Sequence, residues 1–350
     1  MNTEIVKISY SDNEYSEKIK DAADIIKNGG LVVFPTETVY GLGADATNPD
    51  ATKNIYSAKG RPSDNPLIVH ISKPEDAESY TYTNSIYYKI ARAFMPGPIT
   101  VVLKAKPTIP ESTRGGLDTV AIRCPENQIA RDLIFESGVP IAAPSANLSG
   151  SPSPTVAKHV IDDMLGRVDM IIDGGEAEFG LESTIVKIDD DGSVTLLRPG
   201  KITVEDLLTV VTRVNIADAV TDKLADGEKA ISPGMKYRHY APSTPLFLLD
   251  SGEAEKIIEY IKNDSLKRIA VIVYEEELSR FKEELPNAVC YPFGKKDDEL
   301  TQAHILFSLL REVDEGNFDK IYAPLPKKSG IGLALYNRMI RAAAHTVIKL

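Results

Sequence analysis

The stretch NGGLVVFPTETVYGLGADA, residues 28–46, runs from paired glycines through four apolar residues into Pro, Thr, Glu, Thr and Tyr, and then returns to glycine. Leu31 to Phe34 has the apolar, β-branched character of a buried strand. Open α/β sheets bind their ligands beyond the ends of their strands, so hydroxyls and a carboxylate at such an end have a use. The stretch therefore predicts a strand that delivers PTET to a ligand crevice, with the glycines letting the chain turn away.

The segments that follow extend this into a layered domain. A helix is expected from Asn48 to Lys59 with Pro49 in its first turn, followed by a strand at PLIVHIS. SIYYKIARAF places Ile86, Ile90 and Phe94 on one helical face, and MPGP ends it before the strand ITVVLKA. TVAIRCPE is another strand, NQIARDLIFESG a helix, and VPIAAPSANLSG a strand and loop. TVAKHVIDDMLG and MIIDGG add a further helix and strand. STIVKIDDDGSVTLLRPG reads as a hairpin, which makes the sheet mixed.

Residues 203 to 224 read as helical, and ADGEKAISPGMKYRHYAPSTPL then turns polar, basic and Pro-rich. This divides the chain into a first domain at 1–225, a linker at 226–245 and a second domain at 246–350. In the last part PLFLLD, EAEKIIEYIKN, RIAVIVY, ELSRFKEELP, AVCYPF, QAHILFSLLREV, KIYAPL and ALYNRMIRAAAHTVI alternate strand and helix, the last of them a closing helix. That alternation predicts a small parallel sheet with covering helices. The fold class is thus α/β, a mixed twisted sheet followed by a smaller parallel domain.

Composition narrows the function. With 350 residues, two domains are expected. The N-terminal twenty residues lack a basic-then-apolar secretory pattern and no apolar run reaches a membrane span, so a cytoplasmic location is expected. The two cysteines, Cys124 and Cys290, are far apart and read as buried thiols. A net charge of -11 argues against broad wrapping of nucleic acid, so any polyanion site must be local.

Nucleotide signatures are sparse. There is no G-x-x-x-x-G-K-[ST], and GLGADA at 41–46 matches a dinucleotide fingerprint only formally, since PLIVHIS runs into Lys73 instead of an acidic residue. Lys59 and Arg61 offer a point charge and a planar fork for phosphates, and Ser145 and Asn147 offer hydroxyl and amide donors among small residues. Lys59 and Ser145 are expected in exposed turns. Arg123 lies within a strand, where a cation on a buried face needs an anionic partner. Ser183 and Arg198 close the two hairpin strands. Taken together, cations and hydroxyls without a Cys nucleophile, a Ser-His-Asp order or a metal-ligand cluster point to anion handling and not to hydrolysis.

The segments KNGGLVVFPTETVYGLGADA, AKGRPSDNPLIVHI, MPGPITVVLKA, VAIRCPEN and APSANLSGSPSPT resemble the YrdC-like family of threonylcarbamoyl-adenylate synthases. SPGMKYRHYAP resembles the linker of its two-domain version, and the remainder its Rossmann-like extra domain. The family signature K-x-R followed by S-x-N falls on Lys59, Arg61, Ser145 and Asn147. The resemblance implies that L-threonine and bicarbonate form a carbamate that attacks the α-phosphate of ATP, giving threonylcarbamoyl-AMP and pyrophosphate. The product would pass to the tRNA threonylcarbamoyl transferase machinery for t6A modification of tRNA.

By the same resemblance, ATP contacts fall on Lys59, Arg61, Asn65, Thr119, Ser145, Asn147, Ser153 and Arg198, with Tyr237 or the neighbouring Tyr240 from the linker. Magnesium would be bound through the phosphates. Threonine contacts fall on Thr36, His70, Arg123 and Ser183, with the backbone near Ala143. SPGMKYRHYAP is expected to fold over the crevice as a lid. Two competing readings remain at this stage: an RNA-binding module using a basic YrdC-like crevice, and a carbamoyl transferase of the hydrogenase-maturation type. The acidic balance weighs against the first, and the lack of a zinc-finger Cys pattern against the second.

Overall fold

A computed structural model of the chain describes residues 2–222, 231–233, 240–265 and 268–350. Its internal contacts divide it into one unit of Met1–Ser149 with Ser153–Lys236 and another of Gly150–Pro152 with Tyr237–Leu350.

The first unit begins with β1 (Glu4–Lys7), α1 (Tyr15–Lys27), β2 (Val32–Phe34), β3 (Gly41–Asp45), α2 (Pro49–Lys59) and β4 (Ile68–His70). It continues through α3 (Ala77–Tyr80), α4 (Ser85–Phe94), β5 (Ile99–Lys104), α5 (Glu111–Arg114), β6 (Thr119–Arg123), α6 (Gln128–Ser137) and β7 (Ile141–Ala142). It closes with α7 (Ala157–Met164), β8 (Met170–Asp173), β9 (Thr184–Ile188), β10 (Val194–Arg198), α8 (Val204–Leu208) and β11 (Val214–Ile216). The strands form one mixed sheet in the order β1-β8-β2-β3-β7-β4-β6-β5-β9-β10-β11.

Local chemistry explains the elements that position the site. Asn48 caps α2 by accepting from the backbone N–H groups of Asp50 and Ala51, and Pro49 occupies the first turn. Asn84 and Asn127 cap α4 and α6 in the same way. Ile19, Ala22, Ala23 and Ile26 of α1 pack with Ile129 and Leu133 of α6 over Phe34, Ile141 and Met170. Burying each large aliphatic side chain there contributes roughly 1.5–3 kcal/mol.

Four local expectations need correcting. Gly41 and Gly43 do not turn the chain: both lie in β3, antiparallel to β2. A Cβ at Gly43 would come within 2.7 Å of the Phe34 ring and 2.8 Å of Ile141, so the glycines make room for packing. The 203–224 segment is helical only from Val204 to Leu208, where Thr203 and Asp206 form a capping box. Beyond it, the β-branched run of TVVTRVNI favours extended backbone, and β11 forms. On α4 the buried residues are Tyr87, Ile90 and Ala91, a face rotated from Ile86 and Phe94.

The second unit contains β12 (Leu246–Asp250), α9 (Ala254–Lys262), β13 (Ile269–Val273), α10 (Glu275–Glu284) and β14 (Ala288–Pro292). After these come α11 (Glu299–Glu315), β15 (Lys320–Pro324), α12 (Gly330–Ala342) and β16 (Val347–Lys349). Its five strands are all parallel, in the order β14-β13-β15-β12-β16. Every residue of β13 is buried, as expected of a strand covered on both faces. The fourth correction lies here: the closing helix stops at Ala342, and Ala344 and His345 take positive φ of 48° and 63° before the chain joins the sheet as β16.

Candidate active site

The residues assigned to the nucleotide start at the end of α2. Gly60 adopts the left-handed conformation, with φ 62°, and ends the helix between Lys59 and Arg61. Lys59 is only 3% exposed, which corrects the expectation of an exposed turn. Its Nζ donates to the Ser145 carbonyl and, at 2.5 Å, to the Asn147 carbonyl. An ammonium is buried only where acceptors are supplied, and the PSAN loop supplies them. Ser145 is half-buried and its Oγ donates to Asn147 Oδ1 at 2.5 Å, while Asn147 Nδ2 donates to the Leu148 carbonyl at 2.8 Å. Lys59, Ser145 and Asn147 therefore form one hydrogen-bonded knot.

Arg61 donates from Nε to the Asn65 carbonyl at 3.3 Å and from Nη2 to the Pro66 carbonyl at 3.1 Å. Asn65 is buried, and its Oδ1 has no hydrogen-bond partner among the described residues. Thr119 opens β6, whose Ala121 pairs with Ile68 of β4, so the same register carried back two residues sets Thr119 level with Pro66. It stands four residues from Arg123, about 13 Å along the strand. Thr119 is thus on the Asn65 side of the sheet and away from the residues assigned to threonine.

Those residues gather at the other end of β6. His70 and Arg123 are register partners on parallel strands, and Arg123 also pairs across β5 with Thr100. Arg123 is 4% exposed and donates from Nη2 to Glu37 Oε1 at 2.7 Å and to Thr38 Oγ1 at 2.8 Å. Glu37 is the anionic partner that a buried strand arginine requires. Its other oxygen accepts from the Glu126 N–H at 3.2 Å. His70 is buried edge-on to Phe34, with Nδ1 3.2 Å from the Ile68 carbonyl. Burial, aided by the Arg123 charge, pushes its pKa down to about 3 and holds the imidazole neutral.

Thr36 Oγ1 donates to the Val39 carbonyl at 2.6 Å and accepts from the N–H groups of Thr38 and Val39, both at 3.2 Å. Its hydroxyl holds the PTET turn closed. The Ala143 N–H donates to the Ile68 carbonyl at 2.8 Å, tying the start of the PSAN loop to β4. Ser183 Oγ lies 2.8 Å from Thr100 Oγ1 and accepts from Arg198 Nη2 at 3.2 Å, while Arg198 Nε donates to the Ser183 carbonyl at 3.1 Å. Ser153 Oγ donates to Glu182 Oε1 at 2.5 Å. The nucleotide and threonine assignments thus touch at Arg198 and Ser183.

Tyr40 joins the pieces. Its backbone N–H donates to the Pro154 carbonyl, its carbonyl accepts from the Ala146 N–H, and its hydroxyl donates to the Gly175 carbonyl at 2.5 Å. The β2–β3 loop and the PSAN loop are held together on their own chain. Glu37, Thr38, Thr100 and Glu182 were not among the assigned contacts. A signal for Glu37 was present, since a buried arginine demanded a carboxylate and PTET carried one. Thr100 and Glu182 had none, because strand register reveals the first and a contact between distant loop residues, with Ser153, the second. Tyr237 lies outside the described residues, as does most of the SPGMKYRHYAP segment expected to form a lid. Tyr240 stacks on Phe307 of the second unit at 5.2 Å.

Among the described residues no group of three or more His, Cys, Asp and Glu is arranged to hold a metal, and no helix is long and apolar enough to cross a membrane.

Comparison with known proteins finds two family profiles in succession along the chain. A family profile described as telomere recombination matches residues 24–200, and one described as the threonylcarbamoyl-AMP synthase C-terminal domain matches 202–344. The threonylcarbamoyl-AMP synthase of Bacillus subtilis is 44% identical over 95% of this chain and 94% of its own. That of Pyrococcus abyssi is 42% identical over 95% of this chain and 96% of its own. The crystal structure of Pyrococcus abyssi Sua5 complexed with L-threonine superposes with a TM-score of 0.88 at 38% identity, covering 100% of both chains. The chain belongs to the threonylcarbamoyl-AMP synthase family, whose members are adenylate-forming transferases.

Proposed function

We propose that this protein condenses L-threonine, bicarbonate and ATP into threonylcarbamoyl-AMP and pyrophosphate, and that the adenylate feeds the t6A modification of tRNA. The reading rests on the full-length match to a relative solved with L-threonine. The contact between Arg198 and Ser183 supports it, since that is where the nucleotide and amino-acid assignments meet. The carbamate oxygen and the α-phosphate must meet too.

The chemistry suits such a site. The carbamate is already an anionic nucleophile, so no protein nucleophile is required, and catalysis falls to positioning and charge neutralisation. Arg198, fixed on both edges of Ser183, is the proposed partner of the α-phosphate. Lys59, Arg61, Asn65, Thr119, Ser145, Asn147, Ser153 and Tyr237 are proposed to hold the rest of the nucleotide. Thr36, His70, Arg123, Ser183 and the Ala143 backbone are proposed for threonine. Neutral His70 adds a polar edge without a competing charge beside Arg123. Magnesium enters with the nucleotide, liganded mainly by phosphate oxygens, as a hard cation prefers.

The test is to incubate the purified protein with ATP, magnesium, bicarbonate and single amino acids, following pyrophosphate release and the mass of the adenylate. Release that depends on threonine, with a threonylcarbamoyl-AMP mass, is the expected result. ATP binding without turnover, or salt-sensitive RNA affinity alone, would sink the assignment.

A further inference from the structure

The Arg123–Glu37 pair is more than the neutralisation of a buried charge. Both side chains are nearly excluded from water, at 5% and 6% exposure. The two Nη2 bonds, to Glu37 and Thr38, orient the plane of the guanidinium. Nε is buried and has no hydrogen-bond partner among the described residues. A buried donor of this kind is costly unless a ligand satisfies it. Glu37 is itself held, because its second oxygen accepts from the Glu126 N–H at the entry to α6. Its backbone carbonyl accepts from the Phe179 N–H at 2.8 Å. The carboxylate thus has a fixed backbone on two sides and one guanidinium to place.

We infer that Glu37 is a positioning residue for threonine, acting through Arg123: it orients the guanidinium so that its remaining donors are presented to the amino acid's carboxylate. The inference rests on the proposed function and assigns a role to a residue outside its contact set. The pair is electroneutral, so it receives a zwitterion without a net charge in the site. An arginine is needed for this, since one planar fork must serve Glu37, Thr38 and a ligand at once, which a lysine ammonium does not do.

The test compares Glu37→Gln, Glu37→Asp and Arg123→Lys, alone and combined, by threonine and ATP saturation of pyrophosphate release, with thermal unfolding as the control for folding. Glu37→Gln removes the charge at nearly constant volume. It is expected to raise the threonine KM about 10- to 100-fold, the size of losing one charge-assisted hydrogen bond, with the ATP KM nearly unchanged. Glu37→Asp keeps the charge on a shorter stem and is expected to recover part of that loss, which a role in filling space would not predict. Adding Glu37→Gln to Arg123→Lys is expected to change the threonine KM by less than about twofold, because residues that act through one another are not additive.

A Glu37→Gln enzyme with wild-type threonine KM overturns the inference while leaving the function intact. So does a loss that persists undiminished in the Arg123→Lys background. If Glu37→Gln does not fold, the ratio of threonine KM between Glu37→Asp and wild type decides, and no difference overturns the inference. Wild-type protein without threonine-dependent turnover removes the function and the inference together.

Discussion

Lys59 Nζ and the Asn147 carbonyl are bonded at 2.5 Å across eighty-eight residues of chain, so the last residue of α2 braces the loop that carries Ser145. Replacing Lys59 with Ala removes the ammonium bonded to that carbonyl and to the one of Ser145. The expected cost is about 1–3 kcal/mol, together with loss of turnover. Urea unfolding measured beside pyrophosphate release checks this. A Lys59→Ala protein of wild-type stability would mean the brace carries no energy.

Ser145 makes a smaller contribution to the same loop. Its Oγ donates to Asn147 Oδ1, so Ser145→Ala should lose about 1 kcal/mol of stability. Turnover is expected to fall about tenfold or more, since misplacing a group proposed to hold the nucleotide costs positioning. Near-normal turnover of the folded variant would remove Ser145 from the site.

His70 makes stability depend on pH. Its pKa is about 3 in the folded chain, against an ordinary value near 6.5 when unfolded. Between these values the unfolded chain binds the extra proton, so stability is full above pH 6.5 and declines as pH falls toward 3. The slope approaches at most about 1.4 kcal/mol per pH unit. Denaturation midpoints between pH 4 and 8 should fall on the acid side, and His70→Gln should flatten the curve. An unchanged slope in that variant would show His70 to be solvated.

Substrate choice follows from what the site can pair. A pocket that hydrogen-bonds the threonine hydroxyl rejects an analogue lacking it strongly, whereas one missing methyl is worth only about 1–3 kcal/mol. Serine should therefore support more pyrophosphate release than valine at equal concentration. The reverse order would mean that the pocket reads shape alone.

Both thiols are buried, and burial pushes the Cys124 pKa up to about 12. Native protein at pH 7.5 should resist an alkylating reagent at Cys124 until denaturant is added, because the thiolate is the reactive form. Mass spectrometry after a timed exposure reports the outcome, and rapid labelling of the native chain would contradict the packing.

The sequence was most legible where local rules act alone. Asn48 and Pro49 marked the start of α2 correctly because capping is a local property, and the helix ends at Lys59 as read. The parallel second sheet was legible from the alternation of strand and helix. The glycines of GLGADA misled, since their reason is the Phe34 ring on the neighbouring strand, a packing fact that no local pattern carries. Lys59 was misread for the same reason: its acceptors lie in the PSAN loop, distant in sequence. The segment after Leu208 was read as helix, where the density of Val and Thr was the better guide to β11.

His70, Arg123 and Thr100 stand side by side as register partners on β4, β6 and β5, and Ser183, just before β9, reaches Thr100 Oγ1 at 2.8 Å, an order in space that scrambles their order along the chain. A slip of one residue in any of these pairings would turn a member of the row to the opposite face. The row cannot form in part, because each neighbour arrives from a distant segment and pays its loop closure first. On the ribosome, a nascent chain that has not yet exposed β9 lacks the complete row, however much of its helix content is in place. The row is therefore a late feature in the life of the chain, and its completion means that long-range strand pairing is finished.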